Sequence, residues 1–336
     1  MPVDDTNPVP PDPRIQGEVL VADDGELFLV GGAHSPLAHA LGLRRVAPRS
    51  MENFRYNLAA RAQHCQDAGV GFVHLVAPDK QSVLRESFAI PEALSLGERY
   101  AAETGAAFCF PVPELRAMAP RPAYETTDTH WSAEGAGVIA CLLARRLGLP
   151  ADDIAAGQAL LDRTLVPASK PFAGDLGRKF EPPRTNVANR RAPGFPVRHY
   201  DSFAEGNTGT MRLALATGHA PPHRLLIFGD SFLQICMKEL TAFFGEVLLC
   251  RSPFLHPEIM LGFQPDFVIT QNAERYLSVV RSDSEAPPFL LQPQIKGRQV
   301  TATPEAMTAL AAALSFGTSL HRRFRDAFLA EHGPGP

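Results

Sequence analysis

The order of short apolar runs and helical segments constrains the fold of this chain more than any other feature. Apolar runs of strand length lie at residues 72–77, 107–112, 224–228, 246–250 and 266–270. The spacing of apolar residues over 232–244, 257–263 and 273–280 indicates helices that alternate with the later runs. Strands that alternate with helices of this length predict an α/β fold of three layers, with a mostly parallel sheet in the middle.

The irregular parts of the chain delimit one large domain. Residues 1–14 carry five prolines, which predicts a flexible tail. Residues 15–335 are then predicted to form the domain. Within it, residues 148–210 are rich in Pro, Arg and Gly, and we predict an irregular insertion or lid there.

Charge and cysteine content argue against several classes of protein. The net charge of −4 and the pI near 6.3 are not those of a nucleic-acid-binding protein, which carries a strong basic excess. The five cysteines show no CxxC spacing, so neither a zinc ribbon nor a disulfide framework is expected. Their odd number fits a reducing compartment, and neither a signal peptide nor an apolar run of membrane length is visible. The sequence therefore predicts a cytoplasmic protein.

The Gly229-Asp-Ser231 motif lies where a predicted strand ends and a predicted helix begins. Ligands of open α/β sheets bind at this edge. Gly229 allows a sharp turn, and a serine at a helix N-terminus lies beside free N–H groups that stabilise negative charge. Ser231 is thus a candidate nucleophile. The alternative is that Ser231 only caps the helix.

The Asp128-Thr-His130 motif supplies the groups that a serine nucleophile needs. An imidazole accepts the hydroxyl proton, and a carboxylate holds the imidazole in the required tautomer. Two positions apart on an extended segment, the side chains of Asp128 and His130 point the same way. Two alternatives stay open. Asp128 caps the next helix with His130 at the surface, or the pair binds a metal, for which no companion histidine cluster is visible.

Together these motifs resemble the AlgX/AlgJ group of SGNH-hydrolase-like proteins, which act in O-acetylation of alginate and related exopolysaccharides. The run Asp-Thr-His-Trp-Ser-Ala-Glu-Gly at 128–135 precedes Phe-Gly-Asp-Ser-Phe at 228–232, whereas ordinary SGNH esterases place Asp and His near the C-terminus. Weaker similarities lie at 24–28, 77–80, 174–176 and 265–275. The resemblance covers roughly residues 18–280 and implies a three-layer SGNH-hydrolase-like fold for the catalytic domain, 15–335.

The resemblance also implies a Ser-His-Asp acyl-transfer enzyme. Ser231 would attack an acyl donor and form a covalent intermediate, His130 would act as base and then acid, and Asp128 would orient it. The acyl group, acetyl in that family, would pass to a saccharide or polysaccharide hydroxyl. The backbone N–H of Ser231 would stabilise the oxyanion, with Asn272 after the strand 266–270 as a second candidate. A membrane acyltransferase would be a partner if the protein is exported.

Three further residues are candidates for substrate binding. Trp131 either offers a face for a sugar or packs beneath His130, and packing is favoured for a tryptophan next to a helix start. Lys80 either contacts substrate or pairs with a carboxylate. Arg178, with Asp175, lies in the irregular segment, where glycan contacts are expected. No cofactor, metal or nucleic acid is expected.

Two other functions stay open. A carbohydrate O-acetyl esterase would use the same triad with water as acceptor, and the sequence does not separate it from a transferase. A glycan-binding protein without turnover is the second, although the intact set of Asp128, His130 and Ser231 argues against it. A dinucleotide-binding enzyme is excluded, because Gly31-Gly32 does not form the required GxGxxG pattern.

Overall fold

A mixed seven-stranded β-sheet organises the part of the chain that the structure describes. The computed structural model describes residues 11–105, 107–204, 208–218 and 221–315, together with residues 323, 326 and 327. The predicted flexible tail, residues 1–14, lies outside these ranges except for its last four residues.

Short strands and helices alternate along the described residues. The strands are β1 (Ile15–Gln16), β2 (Val19–Val21), β3 (Leu27–Leu29), β4 (Gly71–Ala77), β5 (Leu165–Pro167), β6 (Asn189–Arg191), β7 (Val197–Ala204), β8 (Met211–Ala216), β9 (Arg224–Gly229), β10 (Glu246–Arg251), β11 (Phe267–Ala273) and β12 (Val300–Ala302). The α-helices are α1 (Pro36–Ala40), α2 (Ser50–Asp67), α3 (Lys80–Val83), α4 (Arg85–Phe88), α5 (Leu96–Thr104), α6 (Val112–Arg116), α7 (Ala133–Arg146), α8 (Ala151–Thr164), α9 (Ser231–Ile235), α10 (Met237–Leu240), α11 (Pro257–Phe263), α12 (Gln292–Ile295) and α13 (Pro304–Ala313). Short 3₁₀ helices lie at Gly177–Lys179, Glu274–Ser278, Asp283–Glu285 and Phe289–Leu291.

The strand order in the main sheet is β12-β7-β8-β10-β9-β11-β4. Strands β10, β9, β11 and β4 are parallel to one another, whereas β8, β7 and β12 add antiparallel pairs. The α/β class is confirmed, but the sheet is mixed rather than mostly parallel. Strands β7 and β8 follow each other without a helix, so they pair antiparallel, and the alternation of strands with helices did not predict them.

Helices cover both faces of this sheet. Alternating side chains of the central strands, such as Ile227 and Leu249, pack on one face against α7, represented by Ile139 and Leu143. The intervening side chains, such as Leu226, pack on the other face against α11 and α13. Because the parallel strands are buried on both faces, their sequences read as continuous apolar runs. The expected three layers are therefore present.

Several predicted elements have other boundaries in the structure. Residues 107–112, which read as a strand, make only an isolated bridge at Cys109 before α6 begins. The helix predicted over 232–244 is divided into α9 and α10, and the helix predicted at 273–280 is the 3₁₀ helix Glu274–Ser278. Short apolar runs do not distinguish a strand from a buried turn, which explains the first difference.

The segment 148–210, predicted as an irregular insertion or lid, is more regular than expected. It contains α8, and β5 pairs with β6 in a small antiparallel sheet. Its last strand, β7, belongs to the main sheet. The sequence pattern missed β7 because its described side chains are mostly partly exposed, so that no apolar run marks it. In the described part of the chain, no helix combines the length and apolar character that crossing a membrane requires.

Candidate active site

The Asp128-His130 motif lies on a tight loop between Tyr124 and Trp131, which form an isolated antiparallel bridge. The loop closes with the N–H of Glu125 donating to the carbonyl of His130 at 3.1 Å. The loop is also held by Lys80, whose buried Nζ donates to the carbonyls of Glu125 and Thr126 at 2.8 and 2.9 Å. These bonds fix a loop that has no regular secondary structure.

Within the loop, Asp128 and His130 meet through a turn rather than through an extended segment. Asp128 Oδ1 accepts the backbone N–H of His130 at 3.0 Å and contacts His130 Nδ1 at 2.6 Å. An aspartate that accepts the N–H two residues later forms an Asx turn. The predicted proximity of the two side chains is therefore present, but the predicted extended geometry is wrong.

Ser231 lies at the start of α9, directly after the central strand β9. The cap of this helix is Asp230, whose Oδ1 accepts the N–H of Phe232 at 2.9 Å. The alternative that Ser231 is the N-cap is therefore wrong, and its hydroxyl is free for another partner. That partner is His130, whose Nε2 lies 2.8 Å from Ser231 Oγ.

The three side chains form one line of contacts from a carboxylate through an imidazole to a hydroxyl. His130 Nδ1 contacts Asp128 and Nε2 contacts Ser231, so the ring bridges the two groups. When Nδ1 carries a proton toward the carboxylate, Nε2 has a lone pair directed at the hydroxyl. This arrangement can remove the serine proton as the oxygen attacks a carbonyl carbon.

Asp128 is held in its ionised form. Burial of this side chain opposes ionisation, but the hydrogen bond and charge of His130 and the N–H of Asp175 outweigh it and lower the pKa of Asp128 below its usual range. A carboxylate that stays ionised stabilises the imidazolium that forms when His130 accepts a proton.

The turn that presents Ser231 depends on close approach between β9 and β11. A Cβ on Gly229 would lie 2.7 Å from Gln271 Oε1, so a side chain there would displace Gln271. Gln271 Oε1 accepts the N–H of Asp230 at 2.8 Å, and the N–H of Ala273 donates to Asp230 Oδ2 at 2.7 Å. Asp230 therefore braces the turn, and Gly229 provides the space for that brace.

Open spaces flank the Ser231–His130 pair on two sides. A cavity of about 360 Å³ lies beyond the carboxyl ends of the central strands, where Gly229, Asp230 and Asn272 contribute to its wall. A groove of about 400 Å³ is lined by Asp128 and His130 on the other side. Ligands of open α/β sheets bind in this position relative to the strands.

Asp175 lies near these three side chains, and the sequence did not predict its position there. Its carboxylate accepts the N–H of Thr129 at 2.8 Å and the hydroxyl of Thr129 at 2.6 Å. Asp175 Oδ2 lies 4.0 Å from His130 Nδ1. The available signal was the Gly-Asp-Leu similarity at 174–176, which carries no information about a contact to a residue 46 positions earlier.

Asp128, His130 and Asp175 have the spacing of a metal site, since their ligand atoms lie within 4.8 Å of one another. The same atoms already take part in hydrogen bonds. His130 Nδ1 contacts Asp128 at 2.6 Å, and both oxygens of Asp175 accept bonds from Thr129. We therefore interpret these residues as a hydrogen-bond network, and the absence of a metal remains a prediction.

Two of the three residues predicted to bind substrate are buried. Trp131 is 2 % exposed and packs edge-on against Phe232, with ring centroids 4.9 Å apart, so it offers no face to a sugar. Lys80 is 3 % exposed, and its Nζ lies 2.6 Å from Glu26 Oε2. Burial, packing and charge pairing argue against substrate contact by both side chains. Of the alternatives weighed for each, the structural one is present.

Two candidates remain, Asn272 for the oxyanion and Arg178 for substrate binding. Asn272 is part of β11, opposite Val76 of β4, rather than after a strand that ends at residue 270. Its side-chain amide donates to the carbonyl of Ala273 at 3.1 Å, and the residue lines the 360 Å³ cavity. Arg178 is exposed in the 3₁₀ helix Gly177–Lys179 and donates to the carbonyl of Ala173 at 3.1 Å. Its role in glycan contact remains a prediction.

The family described as "SGNH hydrolase-like domain, acetyltransferase AlgX" matches residues 41–234, more than half of the chain. The chain belongs to the AlgX family. This membership makes the protein an SGNH-type enzyme of the O-acetyltransferase class. No curated protein matches the sequence.

Solved structures share the fold at low sequence identity. The O-acetyltransferase domain of Pseudomonas putida AlgJ is 17 % identical, with a TM-score of 0.50, and the match covers 83 % of this chain and 99 % of that one. Bacillus cereus PatB1 is 12 % identical with a TM-score of 0.52, covering 78 % and 97 %. A DHHW family protein from Eubacterium siraeum is 13 % identical with a TM-score of 0.52, covering 79 % and 93 %. At these identities the likeness shows the fold alone.

Membership in the AlgX family also corrects the predicted location. Relatives of the AlgX/AlgJ group are periplasmic, so the cytoplasmic location expected from cysteine content is wrong. All five cysteines are free and buried in the structure. Buried thiols that do not meet one another stay unpaired in any compartment, which is why their number was not informative.

Proposed function

We propose that this AlgX-family protein transfers an acetyl group to a saccharide or polysaccharide hydroxyl through Ser231, His130 and Asp128. The observation that carries the proposal is the continuous line of contacts among them. Asp128 Oδ1 lies 2.6 Å from His130 Nδ1, and His130 Nε2 lies 2.8 Å from Ser231 Oγ. Family membership supports O-acetyl transfer as the reaction.

In the first half of the reaction, Ser231 Oγ attacks the carbonyl carbon of the acetyl donor while its proton moves to His130 Nε2. Asp128 stabilises the resulting imidazolium. The tetrahedral intermediate collapses when the bond to the leaving group breaks and His130 returns the proton to that group. The product is an acetyl ester on Ser231.

In the second half, a saccharide hydroxyl takes the place of the leaving group. His130 accepts its proton as the hydroxyl oxygen attacks the acetyl carbon, and then gives a proton to Ser231 Oγ as the ester bond breaks. Water in place of the saccharide would give an esterase, with the same residues in the same roles. The groove beside His130 supports a large acceptor, because it has a volume of about 400 Å³ and is lined by polar and charged groups such as Arg190 and Lys238.

The oxyanion of both intermediates needs hydrogen-bond donors close to Ser231. The N–H of Ser231 is the first of α9, and the first N–H groups of a helix have no intrahelical acceptor. We propose this N–H as one donor. Asn272 remains a candidate for a second donor, since it lines the cavity beside Gly229 and Asp230.

The test is acetylation of the intact protein by an activated ester, p-nitrophenyl acetate, followed by mass spectrometry and by release of p-nitrophenol. We expect one added acetyl group in the wild type and none in Ser231→Ala, with turnover reduced about a thousandfold or more. Ser252→Ala is the matched control, because Ser252 Oγ also lies 2.7 Å from a histidine, His256 Nε2, but in a buried position.

The outcome also separates the possible acceptors. Transfer to added alginate or another polysaccharide, read as acetylated product, supports the transferase. Release of acetate alone, whatever saccharide is added, supports the esterase. An acetyl group that still appears on folded Ser231→Ala would contradict the proposed nucleophile. No adduct on the folded wild type would also contradict it and would favour a glycan-binding protein without turnover.

A further inference from the structure

The loop of residues 125–130, which carries Asp128 and His130, is called the catalytic loop below. Asp175 bonds to this loop through both its backbone and its side chain. The N–H of Asp175 donates to Asp128 Oδ2 at 2.9 Å, so one residue satisfies the oxygen of Asp128 that faces away from the imidazole. In return, the carboxylate of Asp175 accepts the N–H and the hydroxyl of Thr129. Asp175 thus forms hydrogen bonds with both Asp128 and Thr129, two consecutive residues of the loop.

The segment that carries Asp175 reaches the loop because of glycine. A Cβ on Gly174 would lie 2.3 Å from the carbonyl oxygen of Thr127 and 2.5 Å from the Cβ of Asp128, which no side chain permits. The N–H of Gly177 donates to the same Thr127 carbonyl at 2.9 Å. Leu176, which is 1 % exposed, anchors the segment between Val19 and Leu27. Asp175 is therefore held rigidly in place.

The charge of Asp175 also reaches the imidazole. Asp175 Oδ2 lies 4.0 Å from His130 Nδ1, and the Asp175 side chain is 37 % exposed. Among the described residues, the other charged groups near His130 are Asp128, in direct contact, Lys80, whose charge interacts with Asp128 and Asp175, and those that line the groove: Glu125, Arg190, Arg191, Lys238 and Glu239. Within that wall, Arg190 pairs with Glu125 and Arg191 pairs with Glu239. Asp175 is thus the second carboxylate that approaches the ring.

We propose that Asp175 is a positioning residue for acyl transfer, which aligns Asp128 and His130 and favours the imidazolium by its negative charge. The proposal rests on the proposed function of Ser231 and His130. Asp175 contacts no reacting atom in that mechanism. It acts by fixing the Asp128 carboxylate from behind, and misplacement of such a group lowers the rate of the chemical step rather than substrate binding.

The experiment compares Asp175→Asn and Asp175→Ala with wild type in acetylation by p-nitrophenyl acetate, from pH 5 to 9. Asparagine keeps an acceptor for Thr129 but removes the charge, whereas alanine removes both. We expect Asp175→Ala to lower kcat about 10- to 100-fold with little change in KM. We expect Asp175→Asn to lose less, and the acid limb of its kcat/KM profile to move to lower pH by about half a unit.

Glu18→Gln is the matched control. Glu18 holds the same segment through Lys179, with Oε2 2.8 Å from Nζ, but at the exposed surface and without a contact to the loop. Its kinetics and pH profile should equal those of wild type. Thermal unfolding of every variant is measured in parallel. If Asp175→Ala does not fold, the acid limb of Asp175→Asn carries the test.

Two results would overturn the proposal. One is wild-type kcat in both folded Asp175 variants. The other is an equal loss in both variants with an unchanged acid limb and lowered stability, which is the signature of a purely structural residue. The NMR signal of the proton between His130 Nδ1 and Asp128, which is read without turnover, should move in Asp175→Asn. This separates failure of the Asp175 proposal from failure of the proposed function, which Ser231→Ala tests.

Discussion

Asp230 and Gln271 hold each other by two hydrogen bonds across neighbouring strands. The N–H of Asp230 donates to Gln271 Oε1 at 2.8 Å, and Gln271 Nε2 donates to Asp230 Oδ1 at 2.9 Å. Gln271 is 2 % exposed and Asp230 is 8 % exposed, so both groups are buried. The side chain of Gln271 on β11 therefore fixes the conformation of the turn that presents Ser231.

Replacing Gln271 with alanine should weaken both the fold and the reaction. The substitution leaves the buried N–H of Asp230 without its acceptor, which costs about 1–3 kcal/mol of the free energy of unfolding. We also expect slower acetylation of Ser231, because its turn loses a fixed conformation. Urea denaturation and acetylation rates measure the two effects. Gln158→Ala is the control, since the Gln158 amide bonds to Asp162 at the surface, and wild-type stability of Gln271→Ala would contradict the argument.

Lys80 should matter for the catalytic loop although it lies outside the reaction. Its buried Nζ pairs with Glu26 and donates to two loop carbonyls, so Lys80→Met leaves several buried groups without partners. Breaking a buried pair by removing one member costs about 3–5 kcal/mol. Lys179→Met removes an exposed pair with Glu18 and should cost about 1 kcal/mol or less. Equal denaturation midpoints for the two variants would show that burial of Lys80 does not contribute.

The contribution of Asp128 to stability should depend on pH in a defined direction. The pKa of Asp128 lies below its ordinary value of 3.8, so the folded state binds fewer protons than the unfolded state as pH falls through this range. The stabilisation is complete above pH 3.8 and is lost as pH falls below it. We expect wild type to exceed Asp128→Asn by about 1–3 kcal/mol near pH 7, with the difference shrinking below pH 4.

Free energies of unfolding from urea titrations at several pH values measure this difference. Asp23→Asn, at an exposed position, should differ little from wild type at any pH. A difference between wild type and Asp128→Asn that persists unchanged to pH 2 would show that ionised Asp128 is not the source of the stability.

The five cysteines should be unreactive in the folded protein. All five are buried, and burial raises the pKa of Cys65 to about 12 and that of Cys109 to about 11, so almost no thiolate exists at neutral pH. Iodoacetamide at pH 7.5 should leave the native chain unmodified and alkylate five thiols in urea. Mass spectrometry counts the adducts. Rapid alkylation of the native protein would show that these side chains open to solvent.

Much of the catalytic arrangement was predictable from local sequence. Helix α7 follows Ser132, whose Oγ accepts the N–H of Gly135 at 3.0 Å as expected for an N-cap. The buried strands β9, β10 and β11 read as apolar runs because both of their faces are covered. The motifs around Asp128, His130 and Ser231 identified the candidate residues, and the α/β alternation placed Ser231 at the carboxyl end of a strand.

Contacts between distant parts of the chain could not be predicted in this way. A loop conformation at residues 125–130 depends on Lys80, and Asp175 reaches Thr129 from 46 positions later. Sequence periodicity records which side of an element is apolar, but it does not record which other element covers that side. The antiparallel position of β7 in the sheet could therefore not be predicted from the sequence.

The sequence by itself determined the residue types of the site, the order of its elements and the apolar faces that build the core, because these depend on near neighbours. Only the tertiary structure decided that Asp128 and His130 meet Ser231, 101 positions after His130, and that Asp175 stands behind them. The contacts of His130 with Ser231 and of Asp175 with Asp128 result from packing of the whole sheet and its loops, because these residues are far apart in the sequence.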